Sequence, residues 1–142
     1  MKKFTVGNVF TALSVIVAIA GLIIYSVNAN GSYYHDFSVR VPLVAAIGIV
    51  VEVVGLVLIK KFDERYVFDV FFVGSGIVLM VAAMFFIAAR VESAGIILGS
   101  SLEAGNDVAY SSLYQAFAGI GCFIVAMLLE GIAGLMKQNK QV

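Results

Sequence analysis

The sequence predicts an all-α integral membrane protein in which four transmembrane helices form an antiparallel bundle. Of its 142 residues 62% are hydrophobic and 13% charged, whereas soluble domains are about 45–50% apolar and 25% charged. Four apolar stretches reach the roughly 20 residues that a helix needs to cross a membrane core of about 30 Å. None shows the alternating pattern of a barrel strand. We therefore expect a single four-helix transmembrane domain over residues 1–142.

The helices are delimited by breaks in hydrophobicity and by turn-forming residues. We predict them at residues 4–27, 41–59, 66–89 and 112–136. Asn30-Gly31-Ser32 follows the first helix, and Pro42 lies where a first helical turn tolerates proline. The prediction leaves loops at 28–40 and 90–111 and a turn at 60–65. Residues 91–104 either extend the third helix or lie along the membrane surface as a short interfacial segment.

The distribution of cations predicts the orientation in the membrane. Only Arg40 and Arg90 lie in the loops 28–40 and 90–111. The opposite side carries seven cations, which are Lys2, Lys3, Lys60, Lys61, Arg65, Lys137 and Lys140. Because short cytoplasmic segments are enriched in Lys and Arg, both termini and the turn are expected in the cytoplasm. The predicted location is the cytoplasmic (plasma) membrane, with four passes.

Tyrosines cluster near the predicted outer side of the membrane. They are Tyr25, Tyr33, Tyr34, Tyr110 and Tyr114. Tyrosine is enriched at membrane interfaces, so the pattern predicts an outer aromatic belt. The alternative is a small extracellular recognition patch formed by Tyr33, Tyr34, His35 and Asp36, since exposed loops often carry binding residues.

The first and third helices resemble each other at an offset of 61 residues. Of seven aligned pairs, six are identical, including Ser14 over Ser75, and the seventh places Asn8 over Asp69. Glu52 and Glu130, each followed by glycine and then lysine, relate the second helix to the fourth. The pattern favours tandem duplication of a helical hairpin, and chance similarity of two apolar helices is the alternative.

The predicted helices contain three acidic residues, Glu52, Asp69 and Glu130, and no basic residue. Acids in a membrane are costly and are expected to face protein or water. Helical spacing permits a polar cluster of Asn8, Ser14, Glu52, Asp69, Ser75 and Glu130. One interpretation is that the protonated acids hydrogen-bond neighbouring helices. The other is that they bind and release protons or cations during transport.

Composition excludes several function classes. Nine basic and nine acidic residues leave no net charge for nucleic-acid binding. A single cysteine, Cys122, and a single histidine, His35, indicate no metal site or cofactor, and we do not expect an enzyme. The sequence favours an accessory or scaffold subunit of a larger membrane complex, with the lipid bilayer and other membrane subunits or further copies of the chain as partners. The alternative is an oligomeric proton- or cation-coupled transporter or channel.

Overall fold

The computed structural model describes residues 5–62 and 65–136. Side chains are described for all of these except residue 62 and residues 65–68. The described chain is helical apart from its connections, and its four helices are α1 (Val6–Ala29), α2 (Arg40–Phe62), α3 (Arg65–Gly99) and α4 (Asp107–Leu135). All four are long and apolar enough to cross a membrane, as expected of a multi-pass membrane protein. The terminal lysines used to predict orientation lie outside the described residues.

The observed helix boundaries differ from the predicted ones at the turn 60–65 and at the loop 28–40. Within the predicted turn 60–65, residues 60–62 belong to α2 and Arg65 begins α3, while residues 63–64 lie outside the described residues. The predicted loop 28–40 shortens to 30–39, with Pro42 in the first turn of α2 as expected. Proline fits there because the first amides of a helix have no intrahelical acceptor.

The predicted loop 90–111 is the largest correction. Residues 91–99 extend α3 to 35 residues, so the first of the two alternatives for this segment is the observed one. The connection that remains covers 100–106 and contains Gly105 at φ 82°, a conformation that favours glycine. Asn106 then caps α4 by accepting a hydrogen bond from the Ala109 amide at 3.2 Å.

Each helix packs extensively against two others. α1 contacts α4 and α2, while α3 contacts α2 and α4, and the α1–α2 contact is the least extensive of these four. Glycines allow close approach at several crossings: Gly21 lies against Phe123, Gly48 against Leu79 and Gly119 against Phe86. A buried apolar core forms around Leu79, Phe86 and Phe123.

The two ends of the molecule carry different connections. We call the end with the connections 30–39 and 100–106 the loop end, and the end where α2 passes into α3 the turn end. Contacts between α1 and α4 run in opposite residue order: Asn28 hydrogen-bonds Ser112 near the loop end, and Ser14 hydrogen-bonds Ala126 nearer the turn end. These contacts fix the relative height of polar residues on different helices.

Candidate functional site

Two buried glutamates meet in the interior of the molecule. Glu52 on α2 and Glu130 on α4 are both fully buried. Their carboxyl groups lie within interaction range of each other and of the Ser14 side chain on α1. α2 and α4 are not among the extensively contacting helix pairs of the described chain. The acids therefore meet across the interior, between helices that are not packed side by side.

Helix register places Ser75 of α3 at the same height. Gly48 lies against Leu79 and Gly55 against Phe71, so Glu52, between the two glycines, is level with Ser75. On α4, Met127 is close to Gly76 of α3, and Gly134 is close to Phe72 of α3. Glu130 lies between Met127 and Gly134, so it is also level with Ser75.

Each helix thus contributes one fully buried polar side chain to a single level of the interior. We call this set, Ser14, Glu52, Ser75 and Glu130, the acid layer. It contains two carboxyl groups and two hydroxyl groups. Ser14 is fixed by donating a hydrogen bond to the Ala126 carbonyl oxygen on α4 at 2.9 Å.

The oxygens of the acid layer are poorly satisfied by the protein itself. Within the described chain, no carboxyl oxygen of Glu52 or Glu130 has a hydrogen-bond partner of acceptable geometry, and neither does Ser75 Oγ. Buried polar atoms are nearly always paired in folded proteins. The layer is therefore a concentration of oxygen atoms that proton or cation binding would satisfy.

Asn8 and Asp69 lie nearer the turn end than the acid layer. Each precedes a layer serine by six residues, or about 9 Å along the helix. Asn8 is buried, and its Oδ1 has no hydrogen-bond partner in the described chain, whereas Asp69 is partly exposed. Of the six residues of the predicted polar cluster, four thus form one layer and two lie beyond it toward the turn end.

No described group of three or more His, Cys, Asp or Glu side chains could hold a metal ion. A cation in the acid layer would have only two carboxylates and would take further ligands from hydroxyl groups. Cys122, the single cysteine, is partly buried on α4 two turns closer to the loop end than Glu130, and no chemistry is assigned to it.

A second polar cluster, absent from the sequence predictions, lies at the loop end around Arg90. This side chain is 2% exposed. Its guanidinium group donates to both Asp36 oxygens at 2.6 and 3.0 Å, and its Nε donates to Asn28 Oδ1 at 2.9 Å. The Tyr34 ring lies beneath it, 3.8 Å from the guanidinium carbon. Asn28 also donates to Gln115 Oε1 and the Ser112 carbonyl oxygen.

The proposed recognition patch is divided by this cluster. Tyr34 and Asp36 bind Arg90, and Asp36 remains half exposed. The Tyr33 hydroxyl donates to Glu103 Oε1 at 3.0 Å. His35 is exposed. Two of the four residues, Tyr34 and Asp36, therefore hold connection 30–39 against the helices. His35 and part of Asp36 are the most accessible portions of the proposed patch.

The five tyrosines of the predicted belt differ in their surroundings. Tyr25 is fully buried and hydrogen-bonds the backbone of Ser38. Tyr110 donates to the Ile97 carbonyl oxygen. Of the five tyrosines only Tyr114 is largely exposed, at 60%. The hydroxyl groups of the other four bind protein atoms at the loop end.

An apolar groove of about 410 Å³ lies on the surface between α3 and α4. Its lining is almost entirely apolar and includes Met80, Met84 and Met127, with Gly131 at one side. A side chain added at Gly131 would meet no described atom within 4 Å. The groove therefore has room for an apolar group from outside the chain.

Comparison of the chain with protein-family models, with curated proteins and with solved structures finds no match. Functional inference therefore rests on the geometry of the two polar clusters and the groove.

Proposed function

We propose that this protein is a small ion-coupled membrane protein whose acid layer binds and releases protons or cations. The observation that carries this proposal is the meeting of Glu52 and Glu130, both fully buried and within interaction range of each other and of Ser14. Acids that served only as links between helices would be expected to make hydrogen bonds of good geometry, and none of their carboxyl oxygens does so in the described chain. Two carboxylates in contact repel each other, so the pair favours a bound proton or cation.

The proposed setting is the cytoplasmic membrane, with an antiparallel four-helix bundle and both termini in the cytoplasm. The turn end, with Lys60 and Lys61, would then face the cytoplasm. A tandem duplication of a helical hairpin is supported by the acid layer, to which each half of the chain contributes one serine and one glutamate. Four helices enclose little volume, so transport would involve an oligomer or a very small cargo.

Proteoliposomes containing the full chain and an internal pH-sensitive dye test this function. We expect an imposed pH gradient or added cations to change the dye signal. Glu52→Gln and Glu130→Gln should abolish the response because each removes a titratable carboxyl group. Glu92→Gln, which alters an exposed glutamate outside the acid layer, is the matched control. A wild-type signal equal to that of protein-free liposomes under every condition would refute ion coupling.

The second candidate function is an accessory or scaffold subunit, favoured by the α3–α4 groove. Its methionine-rich lining suits an apolar transmembrane helix of another subunit. Affinity purification from the native membrane in mild detergent should then recover a stoichiometric partner. Gly131→Phe would fill the groove and release that partner, whereas Gly74→Phe, at a glycine with equal space but outside the groove, would retain it. Retention by both variants would exclude the groove as the contact.

A further inference from the structure

The number and type of oxygen atoms in the acid layer indicate which class of cation it can bind. Glu52 and Glu130 supply four carboxyl oxygens, and Ser14 and Ser75 supply two hydroxyl oxygens. Ser14 uses its proton to bind the Ala126 carbonyl oxygen, and its lone pairs remain available as a ligand. Six oxygens from four helices thus lie at one level of a buried interior.

We propose that the acid layer binds one small divalent cation of the hard, oxygen-preferring class, taken up in exchange for two protons. This inference rests on the proposed ion-coupled function and names its substrate class. In the proton-loaded state both carboxyl groups are neutral acids. When the cation binds, both acids release their protons to water, and the two carboxylates neutralise the two charges of the cation. The net charge of the layer is zero in both states.

Charge balance allows a divalent cation to replace both protons. An uncompensated charge is costly in a membrane interior. A monovalent ion would keep the layer neutral only if one carboxyl group retained its proton, so it would release one proton and not two. No other titratable side chain of the described chain lies at this level: α1 contributes none, Asp69 of α3 is about 9 Å toward the turn end, and Lys60 of α2 is about 12 Å from Glu52 along the helix.

The ligand types select a hard cation. Carboxylate and hydroxyl oxygens suit Mg²⁺ and Mn²⁺, whereas softer metals prefer histidine and cysteine ligands. Mg²⁺ is usually held by one or two carboxylates and keeps several waters in its octahedral shell, whereas Ca²⁺ takes six to eight oxygen ligands. Cys122 is eight residues from Glu130 on α4, about 12 Å along the helix, and so lies outside the layer.

The acid layer has different surroundings on its two sides. On the loop-end side, Leu79, Phe86 and Phe123 are fully buried in the apolar core. On the turn-end side, the buried apolar side chains of Ile59 and Phe72 are accompanied by the polar groups of Asn8 and Asp69. The polar groups nearest to the layer along the helices therefore lie on its turn-end side.

The test uses the full chain in nanodiscs, titrated with MnCl₂ and followed by Mn²⁺ electron paramagnetic resonance and a pH indicator. We expect saturable binding with two protons released per cation, and tighter binding as the pH rises because protons compete for the carboxylates. MgCl₂ should displace Mn²⁺. NaCl at matched ionic strength should neither displace Mn²⁺ nor release protons.

The variants identify the site. Glu52→Gln and Glu130→Gln should lose Mn²⁺ binding, and Ser75→Ala, which removes only a hydroxyl ligand, should weaken it by about tenfold. The exposed Glu92→Gln serves as the control and should bind as wild type. If the glutamate variants do not fold, the Ser75→Ala variant and the comparison of salts on the wild-type protein still test the proposed cation site.

Other outcomes overturn the proposal. Mn²⁺ binding that survives both glutamate substitutions would place the site elsewhere. Proton release driven by Na⁺ or K⁺, with Mn²⁺ and Mg²⁺ silent, would refute a divalent substrate but leave ion coupling intact. A wild-type protein that binds no cation but conducts protons in liposomes would also refute a divalent substrate and leave ion coupling intact. The absence of both cation binding and proton conduction would refute the divalent substrate and ion coupling together.

Discussion

Gly119 and Gly121 have opposite surroundings although they are two residues apart on α4. A Cβ added at Gly119 would lie 2.7 Å from Phe86 Cε1 and 2.9 Å from Ile24 Cγ2, whereas one at Gly121 would meet no described atom within 4 Å. We expect Gly119→Ala to lower the free energy of unfolding by about 1–3 kcal/mol through overpacking. Gly121→Ala should be neutral or slightly stabilising, because alanine favours helix. Thermal unfolding in detergent measures both, and equal effects would contradict the close packing at Gly119.

Tyr33 offers a pH-dependent contact outside the membrane-spanning segments. Burial, together with the hydrogen bond to Glu103 and its negative charge, raises the pKa of the Tyr33 phenol above its usual value. Its contribution to stability is therefore full at neutral pH and is lost as the pH rises through that raised pKa. Absorbance titration of tyrosinate, with Tyr33→Phe identifying the signal, should show Tyr33 ionising at higher pH in wild type than in Glu103→Gln. An unchanged midpoint would contradict the role of Glu103.

The two buried glutamates and Arg90 differ in how far the sequence alone reveals them. Glu52 and Glu130 could be singled out because an acid in an apolar helix has few tolerable positions other than the interior. Arg90 could not, since an arginine at the edge of an apolar stretch resembles an ordinary flanking cation. Its partners Asp36 and Asn28 are more than fifty residues away in the sequence, and only packing of the helices brings them together.

At the scale of elements, the extension of α3 is stabilised by a small apolar cluster separate from the main core. Ile97 is fully buried and packs with Ala109 and Leu113 of α4. Ile97→Ala should cost about 2 kcal/mol, the low end for a buried isoleucine, because the cluster is small and can partly collapse. Hydrogen exchange should accelerate at residues 91–99 rather than throughout the chain. Ile96→Ala, at a neighbouring side chain that is 37% exposed, should leave exchange unchanged. Uniform acceleration would instead show that the extension unfolds with the rest of the molecule.

This extension was the element that sequence patterns described least well. Residues 91–99 contain Glu92, Ser93 and Gly95 among apolar residues, a mixture equally compatible with a loop or a surface segment. Helix formation there depends on the contact of Ile97 with α4. Since α4 follows only after the connection 100–106, this contact cannot be read from the local sequence. The four apolar helices themselves were predictable because their length and hydrophobicity are continuous in the chain.

At the scale of the whole molecule, the proposed orientation can be measured with two cysteines. In a Cys122→Ala background, Ser32→Cys at the loop end and Lys61→Cys at the turn end both introduce thiols at exposed positions. A membrane-impermeant maleimide should label Ser32→Cys in intact cells and Lys61→Cys only after permeabilisation. Labelling of both from outside, or the reverse pattern, would overturn the proposed orientation.

The contacts of Arg90 also bear on how the chain enters a membrane. A lone arginine within an apolar helix opposes insertion by about 2.5–3.5 kcal/mol at the helix centre and by less near its ends. Asp36 and Asn28 precede Arg90 in the chain and are therefore synthesised before it. The counter-ion for Arg90 is therefore already synthesised when α3 emerges from the ribosome, which lowers the cost of inserting α3 in the proposed membrane setting.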